Sequence, residues 1–264
     1  MHADVNGLRM YYEEHGAGSP LGLLHGAFGL VETDFAAMIP ALSRNHRVIA
    51  IEQQAHGHTN DVDRPLSYEQ MADDTATLLR QLGVEQADVF GYSMGGAIAL
   101  QVAVRHPSLV RKIVAAGGTA YSPEGLYPEM LPMLEGMQPE MLVGTPWHEA
   151  YMRSAPNPEN FATLAAKVKA LDVGWKGWSA DVIRSIAAPV LVVIGDSDIV
   201  RPEHAVELFR LLGGGVVGDL NPLPASQLAV LPGTTHVSVV QRVEWLTSMA
   251  LAFLDAPVPQ ATSR

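Results

Sequence analysis

The stretch DVFGYSMGGAIALQ, Asp88 to Gln101, runs as an apolar strand up to a serine set between glycines, then continues without a polar face. Gly91, Ser93 and Gly95 fit G-x-S-x-G at a predicted strand-to-helix junction. In that setting a serine is held on a strained turn with its hydroxyl exposed above a sheet. The predicted helix carries Ala97, Ile98, Ala99, Leu100, Val102, Ala103 and Val104, apolar nearly all round, so it belongs in the middle of the fold. Its N-terminus directs unpaired N–H groups and a positive dipole end at Ser93, which suits a developing oxyanion.

Strand and helix patterns alternate on both sides of this junction. Asn6-Gly7 between two strand-like runs signals a tight hairpin, hence antiparallel strands at one edge. LGLLHG and HRVIAIEQQAHG hold further strands, and VETDFAAMIPALSRN between them has helical spacing broken or kinked at Pro40. SYEQMADDTATLLRQLG starts with Ser67 as N-cap and Gln70 at N3, repeats Met71, Leu78, Leu79 and Leu82, and stops at Gly83. VRKIVAAGG, APVLVVIGD and SQLAVLPG read as strands; EHAVELFRLLGG and VSVVQRVEWLTSMALAFLD read as helices. Strands that alternate with helices and run apolar throughout predict an α/β fold with a mostly parallel sheet covered on both faces.

Residues 119–180 break the alternation. They hold no convincing strand, seven prolines from Pro123 to Pro158, and Met130, Met133, Met137, Met141 and Met152. Short helices inserted between two core strands are expected, their methionines either packing the insertion down or adapting to a ligand. The expected organisation is a core of residues 1–118 and 181–264, an insertion at 119–180 and a mobile tail at 256–264.

A serine hydroxyl is a poor nucleophile until a base takes its proton and a carboxylate orients that base. VLVVIGDSD ends a strand with Asp196 and Asp198, and AVLPGTTHVSVV ends the next with His236. Ligand-facing groups of open α/β sheets collect at such carboxyl ends. The acid that is not catalytic reads as a loop acid or an N-cap. HGAFG, His25 to Gly29, ends an early strand, and the Ala27 amide is the candidate to pair with that of Met94 as an oxyanion hole. His25 reads as a loop stabiliser, His56 and His58 as a solvated loop, and His2, His15, His46, His106, His148 and His204 as surface residues.

Composition narrows the classes. The chain has 264 residues, is 48% hydrophobic and 17% charged, which suits a packed globular core. A formal charge of −11 opposes a nucleic-acid partner. The absence of cysteine removes thiolate catalysis, disulfides and cysteine-ligated metals. No run reaches the roughly 18 apolar residues of a membrane span, and the first residues lack the apolar stretch of a signal peptide, so a cytoplasmic protein without membrane contact is expected.

Taken in order, LLHGAFG, IEQQAHGHT, FGYSMGGAIALQVAVRHP, LVVIGDSDIVRP and LPGTTH resemble the α/β-hydrolase superfamily, its small esterase, enol-lactonase and cofactor-free haloperoxidase-like members in particular. The resemblance covers nearly the whole chain. It implies an eight-stranded sheet with a helical cap inserted between strands six and seven, the position of residues 119–180. It also implies that the triad acid closes a G-x-x-D pattern, which maps onto Asp198 and leaves Asp196 second. EQQAHGHT departs from the Asp-x-x-Gly-His-Gly-x-Ser often found in relatives.

The expectation is a serine hydrolase in which Ser93 attacks a small-to-medium ester or lactone, His236 carries the proton, Asp198 orients it, and the Ala27 and Met94 amides hold the oxyanion. Phe28, Leu126, Met130, Met133, Met137, Trp147, Trp175 and Trp178 are the expected substrate-lining residues. No metal or organic cofactor is expected, and the oligomeric state is open between monomer and homodimer. Carbon–carbon bond hydrolysis, perhydrolase chemistry, hydroxynitrile cleavage and a non-catalytic ligand receptor are the alternatives.

Overall fold

In a computed structural model that describes residues 1–258, the chain alternates strand and helix. The elements are β1 (His2–Val5), β2 (Leu8–His15), β3 (Ser19–Leu24), α1 (Val31–Asp34), α2 (Ile39–Leu42), β4 (His46–Ile51), α3 (Tyr68–Gln81), β5 (Ala87–Tyr92), α4 (Met94–Arg105) and β6 (Val110–Ala116). They continue with α5 (Met130–Gly136), α6 (Pro146–Ser154), α7 (Phe161–Gly174), α8 (Ala180–Arg184), β7 (Val190–Ser197), α9 (Pro202–Leu211), β8 (Gln227–Thr235) and α10 (Val243–Asp255). One eight-stranded sheet has the order β1-β2-β4-β3-β5-β6-β7-β8. β1, β2 and β4 pair antiparallel, and every later pairing is parallel. This is the alpha/beta hydrolase fold.

Local chemistry explains the boundaries. Asn6 and Gly7 both take positive φ, at 49° and 86°, which closes the β1–β2 hairpin. Ser67 caps α3 by accepting from the Gln70 amide at 3.1 Å. The helical spacing around Pro40 resolves into α1 and α2, with Pro40 in the first turn of α2, where its missing N–H has no partner to lose. The long helix expected from Val237 starts only at Val243, after a 3-10 turn at Val239–Gln241. Thr235 and Ser238 bond one another across this stretch, and such short side chains compete with helical backbone pairing.

Two apolar clusters sandwich the sheet. One joins it to α3, α4, α7 and α9, and the other joins it to α1, α2 and α10. β5 is buried along its whole length and α4 along almost all of its own, which puts the Ser93 junction at the centre. Between β6 and β7 the chain is helical, from α5 to α8. Lys167 on α7 donates to Asp61 Oδ1 and to the Val62 and Arg64 carbonyls at 2.8 to 2.9 Å, tying that helix to the loop after β4.

Several histidines expected at the surface are buried. His46 opens β4, His56 has its Nδ1 on the Gln54 carbonyl at 2.9 Å, and His204 stacks on Tyr121 with ring centroids 4.4 Å apart. Each is covered by elements far away in sequence, which short polar contexts do not reveal. Of the expected mobile tail, Ala256 accepts from the buried Lys112 ammonium, and residues 259–264 lie outside the described residues. Among the described residues no helix is long and apolar enough to cross a membrane, and no cluster of His, Asp and Glu is arranged to hold a metal ion.

Candidate active site

Ser93 sits between β5 and α4 with φ 53° and ψ −117°. A non-glycine residue at such an angle costs about 1–3 kcal/mol, retained only where the surroundings over-determine it. Here the Ser93 amide is fixed on the Ala116 carbonyl at 2.8 Å, and its own carbonyl accepts the Gly96 and Ala97 amides. The flanking glycines are required by contact. A Cβ on Gly91 would strike the Gly95 carbonyl oxygen, and one on Gly95 would strike that of Leu24 in the neighbouring strand β3. Close passage of three backbones leaves the hydroxyl nowhere to point but above the sheet.

Above the sheet it meets His236. Ser93 Oγ lies 2.9 Å from His236 Nε2, and His236 Nδ1 lies 2.8 Å from Asp198 Oδ1. An acid-bound Nδ1–H leaves Nε2 with its lone pair toward the serine hydroxyl. Asp198 is buried and also accepts the Ile199 amide at 2.7 Å, so backbone and imidazole both hold the carboxylate in place. Asp196 is exposed and instead receives the Gly233 and Thr234 amides at 2.9 and 3.2 Å, clamping the turn before His236. Those amides hold the Asp196 carboxyl below the usual range.

Ala27, Ser93, Met94 and His236 border one cavity of about 110 Å³. Met94 is the first residue of α4, where the amide has no intrahelical acceptor. The loop carrying Ala27 is held from below. Asp34 Oδ2 accepts the Gly26 amide at 2.9 Å, and Thr33 donates to its other oxygen at 2.8 Å. Burial raises Asp34 to about 6, opposed by the bonds from Gly26 and Thr33 and by His236. His25 bridges the same loop to the next, Nε2 accepting the Gln53 amide at 3.0 Å while Nδ1–H donates to the Gly26 carbonyl at 2.8 Å. Burial drives His25 down to about 3, with His56 adding to it, so the ring is neutral and acts as a brace.

The remaining walls are Tyr68, Ala97, Thr119, Leu126, Met130, Leu134, Asp172, Trp175 and Ile199, among others. Of the expected lining residues, the structure brings Leu126, Met130 and Trp175 to the cavity. Met133 is 56% exposed and Met137 caps α5 beyond its last turn, and neither borders the cavity; Met130 and Leu134, one helical turn apart, are the residues of this segment that do. Trp147 borders a separate cavity of about 370 Å³ with Tyr92 and Val237. Trp178 stands one layer behind, its ring 5.1 Å from that of Trp175 and its Nε1–H on Glu69 at 3.0 Å. Phe28 takes φ 62° and turns to Phe161 instead.

Some neighbours had no readable signal. Tyr92, within the G-x-S-x-G pattern, donates to the His236 carbonyl at 3.1 Å and so joins the strand to the histidine loop. Thr119 Oγ1 and Trp175 Nε1 are buried with no partner among the described residues. Asp172, in the last turn of α7, is the wall's one carboxylate.

The model of the family described as "alpha/beta hydrolase fold" matches residues 20–175. The 2-hydroxymuconate semialdehyde hydrolase of Pseudomonas sp. strain CF600 is 34% identical over 119 residues, covering 44% of this chain but only 42% of that protein. Pimeloyl-[acyl-carrier protein] methyl ester esterase of Neisseria meningitidis is 26% identical across 92% of this chain and 78% of its own. The crystal structure of the enol-lactonase from Burkholderia xenovorans LB400 superposes with a TM-score of 0.72 at 21% identity, covering 97% of this chain and 100% of the other, a likeness of fold.

Proposed function

The chain belongs to the alpha/beta hydrolase fold family, and on that premise we propose that it is a serine-dependent hydrolase of small carboxylic esters or lactones. The carrying observation is the hydrogen-bonded chain from Ser93 through His236 to Asp198, at the edge of a cavity that Ala27 and Met94 also border. Ser93 Oγ attacks the substrate carbonyl carbon as its proton passes to His236 Nε2. The oxyanion formed is held by the Ala27 and Met94 amides; one such donor is worth about 2.7–4 kcal/mol in comparable enzymes. The imidazolium, facing the Asp198 carboxylate, returns the proton to the leaving alkoxide. Water then attacks the acyl-Ser93, with His236 as base, releasing the acid and restoring the serine.

A cavity of about 110 Å³ limits the bound group to a small one, with apolar contact from Leu126, Met130, Leu134 and Ile199. Carbon–carbon bond hydrolysis is the second reading, favoured by the match to 2-hydroxymuconate semialdehyde hydrolase. That relative's name specifies a carboxylate-bearing substrate, yet among the described residues no Arg or Lys borders the Ser93 cavity, and Asp172 there offers an acid group no positive partner. Ester or lactone hydrolysis suits this wall better.

Rapid-mixing measurements with p-nitrophenyl acetate and butanoate test the reading. A burst of nitrophenolate followed by steady turnover is expected, with Ser93→Ala lowering kcat by at least ~10⁴-fold. Turnover that survives the substitution would discard the acyl-enzyme. A protein that binds these esters without releasing nitrophenolate would be a receptor or a lyase.

A further inference from the structure

Asp172 stands apart from the other buried or half-buried carboxylates. Asp34 receives Gly26 and Thr33, Asp74 pairs with Arg64, Asp88 with Arg111, Glu52 with His58, and Asp198 with His236. No donor among the described residues reaches the Asp172 carboxylate, although it faces the same cavity as Ser93. It also lies in the last turn of α7, which holds no basic residue. The helix dipole there is negative and favours a cation, so an acid at this place opposes the field of its own helix.

The surroundings fit the missing charge. Tyr68 and Trp175 border the cavity beside Asp172, their rings 5.7 Å apart and edge to face. Aromatic walls attract an ammonium group, most strongly where water is excluded. An outer cavity of about 620 Å³ shares Leu126, Leu134, Asp172 and Trp175 with the inner one, so these four residues stand where the two adjoin. The titratable groups near this junction are His236 inside, Glu69 behind Tyr68, and Glu124, Lys176 and Arg201 around the outer cavity. Neither Lys176 nor Arg201 forms an ion pair with Asp172.

We propose that Asp172, with the Tyr68 and Trp175 rings, forms a cation subsite that receives a positively charged ammonium group on the substrate, making ammonium-bearing small esters the preferred class. This rests on the reading of the Ser93 cavity as an acyl-transfer site. Burial raises the free carboxyl to about 7, against the pull of His236. A bound ammonium supplies the counter-charge that no neighbouring side chain among the described residues gives Asp172.

Two esters of matched shape, p-nitrophenyl 3-aminopropanoate and p-nitrophenyl butanoate, differ by an ammonium in place of a methyl. The parent hydrolyses the ammonium ester with the higher kcat/KM, and Asp172→Asn lowers the ratio of the two values by at least about tenfold. Asp172→Glu, which restores the charge, recovers part of the preference. Equal loss on both esters, or an unchanged ratio in a folded Asp172→Asn protein, overturns the subsite.

Binding separates this idea from the catalytic one. Calorimetric titration of butylammonium chloride into Ser93→Ala protein should show saturable binding that is absent for n-butanol and lost on adding Asp172→Asn. If neither ester is turned over through Ser93 but this binding holds, the subsite stands and the acyl-transfer reading falls. If butylammonium binds no better than butanol, the subsite falls whatever the esters do.

Discussion

Asp34 shows how one buried acid braces the loop beside the Ser93 cavity without bordering that cavity. Its carboxyl accepts the Gly26 amide and so fixes the backbone that presents Ala27, while Gly29 packs so tightly against it that a Cβ there would collide with the carboxylate. Because burial raises its folded value to about 6 from an ordinary 3.8, the folded state binds the proton more tightly than the unfolded chain. Stability linked to this group is therefore present at low pH and lost as pH rises through that window. Asp34→Asn keeps an acceptor for Gly26 and removes the titration. Its Tm relative to the parent should rise by a few degrees between about pH 4 and about pH 7; a constant difference would mean that Asp34 does not titrate there. The bond from Tyr92 to the His236 carbonyl works in the same way, a positioning contact made from inside the G-x-S-x-G pattern.

At the scale of elements, α5 illustrates how a methionine-rich helix divides its labour. Met130 and Leu134 border the Ser93 cavity, whereas Met133 is exposed and Met137, just past the helix end, does not border it. Met130→Ala should shift relative kcat/KM toward longer acyl chains by about tenfold, the scale on which apolar pockets discriminate by methylenes. Met133→Ala should leave the chain-length profile of p-nitrophenyl esters flat against the parent. Similar shifts in both would mean that α5 acts through its docking and not through its inner face. The α4 helix is the contrasting case, since its position is dictated by glycines that admit the backbones of β3 and of its own first turn.

The whole molecule is a sheet with an apolar cluster on each face, and the helical segment between β6 and β7 is joined to it by a few polar anchors. Arg153 to Glu32 is mostly exposed at both ends and contributes little. Lys167 is the stronger anchor, with one carboxylate and two carbonyls at its ammonium. Lys167→Met should weaken α7 docking by about 1.5–3 kcal/mol, the worth of hydrogen bonds to a charged group. Hydrogen exchange is the measurement, with faster exchange expected across Phe161–Gly174 and none of that acceleration in α4. Acceleration spread evenly over both would show one cooperative unit with no separate opening of α7.

The sequence by itself determined the alternation of strand and helix, the hairpin at Asn6-Gly7, the Ser67 cap and the glycine-flanked serine turn, because each depends on backbone geometry and on apolar spacing within a few residues. It also marked Ser93, Asp198 and His236 as candidates, since strand ends in a parallel sheet converge on one edge. Tertiary structure alone decided which side chains share a cavity. Trp147 and Trp178 resemble Trp175 in composition and neighbourhood, yet the docking of the helical segment sends only Trp175 to Ser93. It alone buried His46, His56 and His204, braced the Gly26 loop on Asp34, and left Asp172 without a partner among the described residues. Those outcomes depend on elements many residues apart meeting at particular angles, and burial by a distant element leaves no local period in the chain.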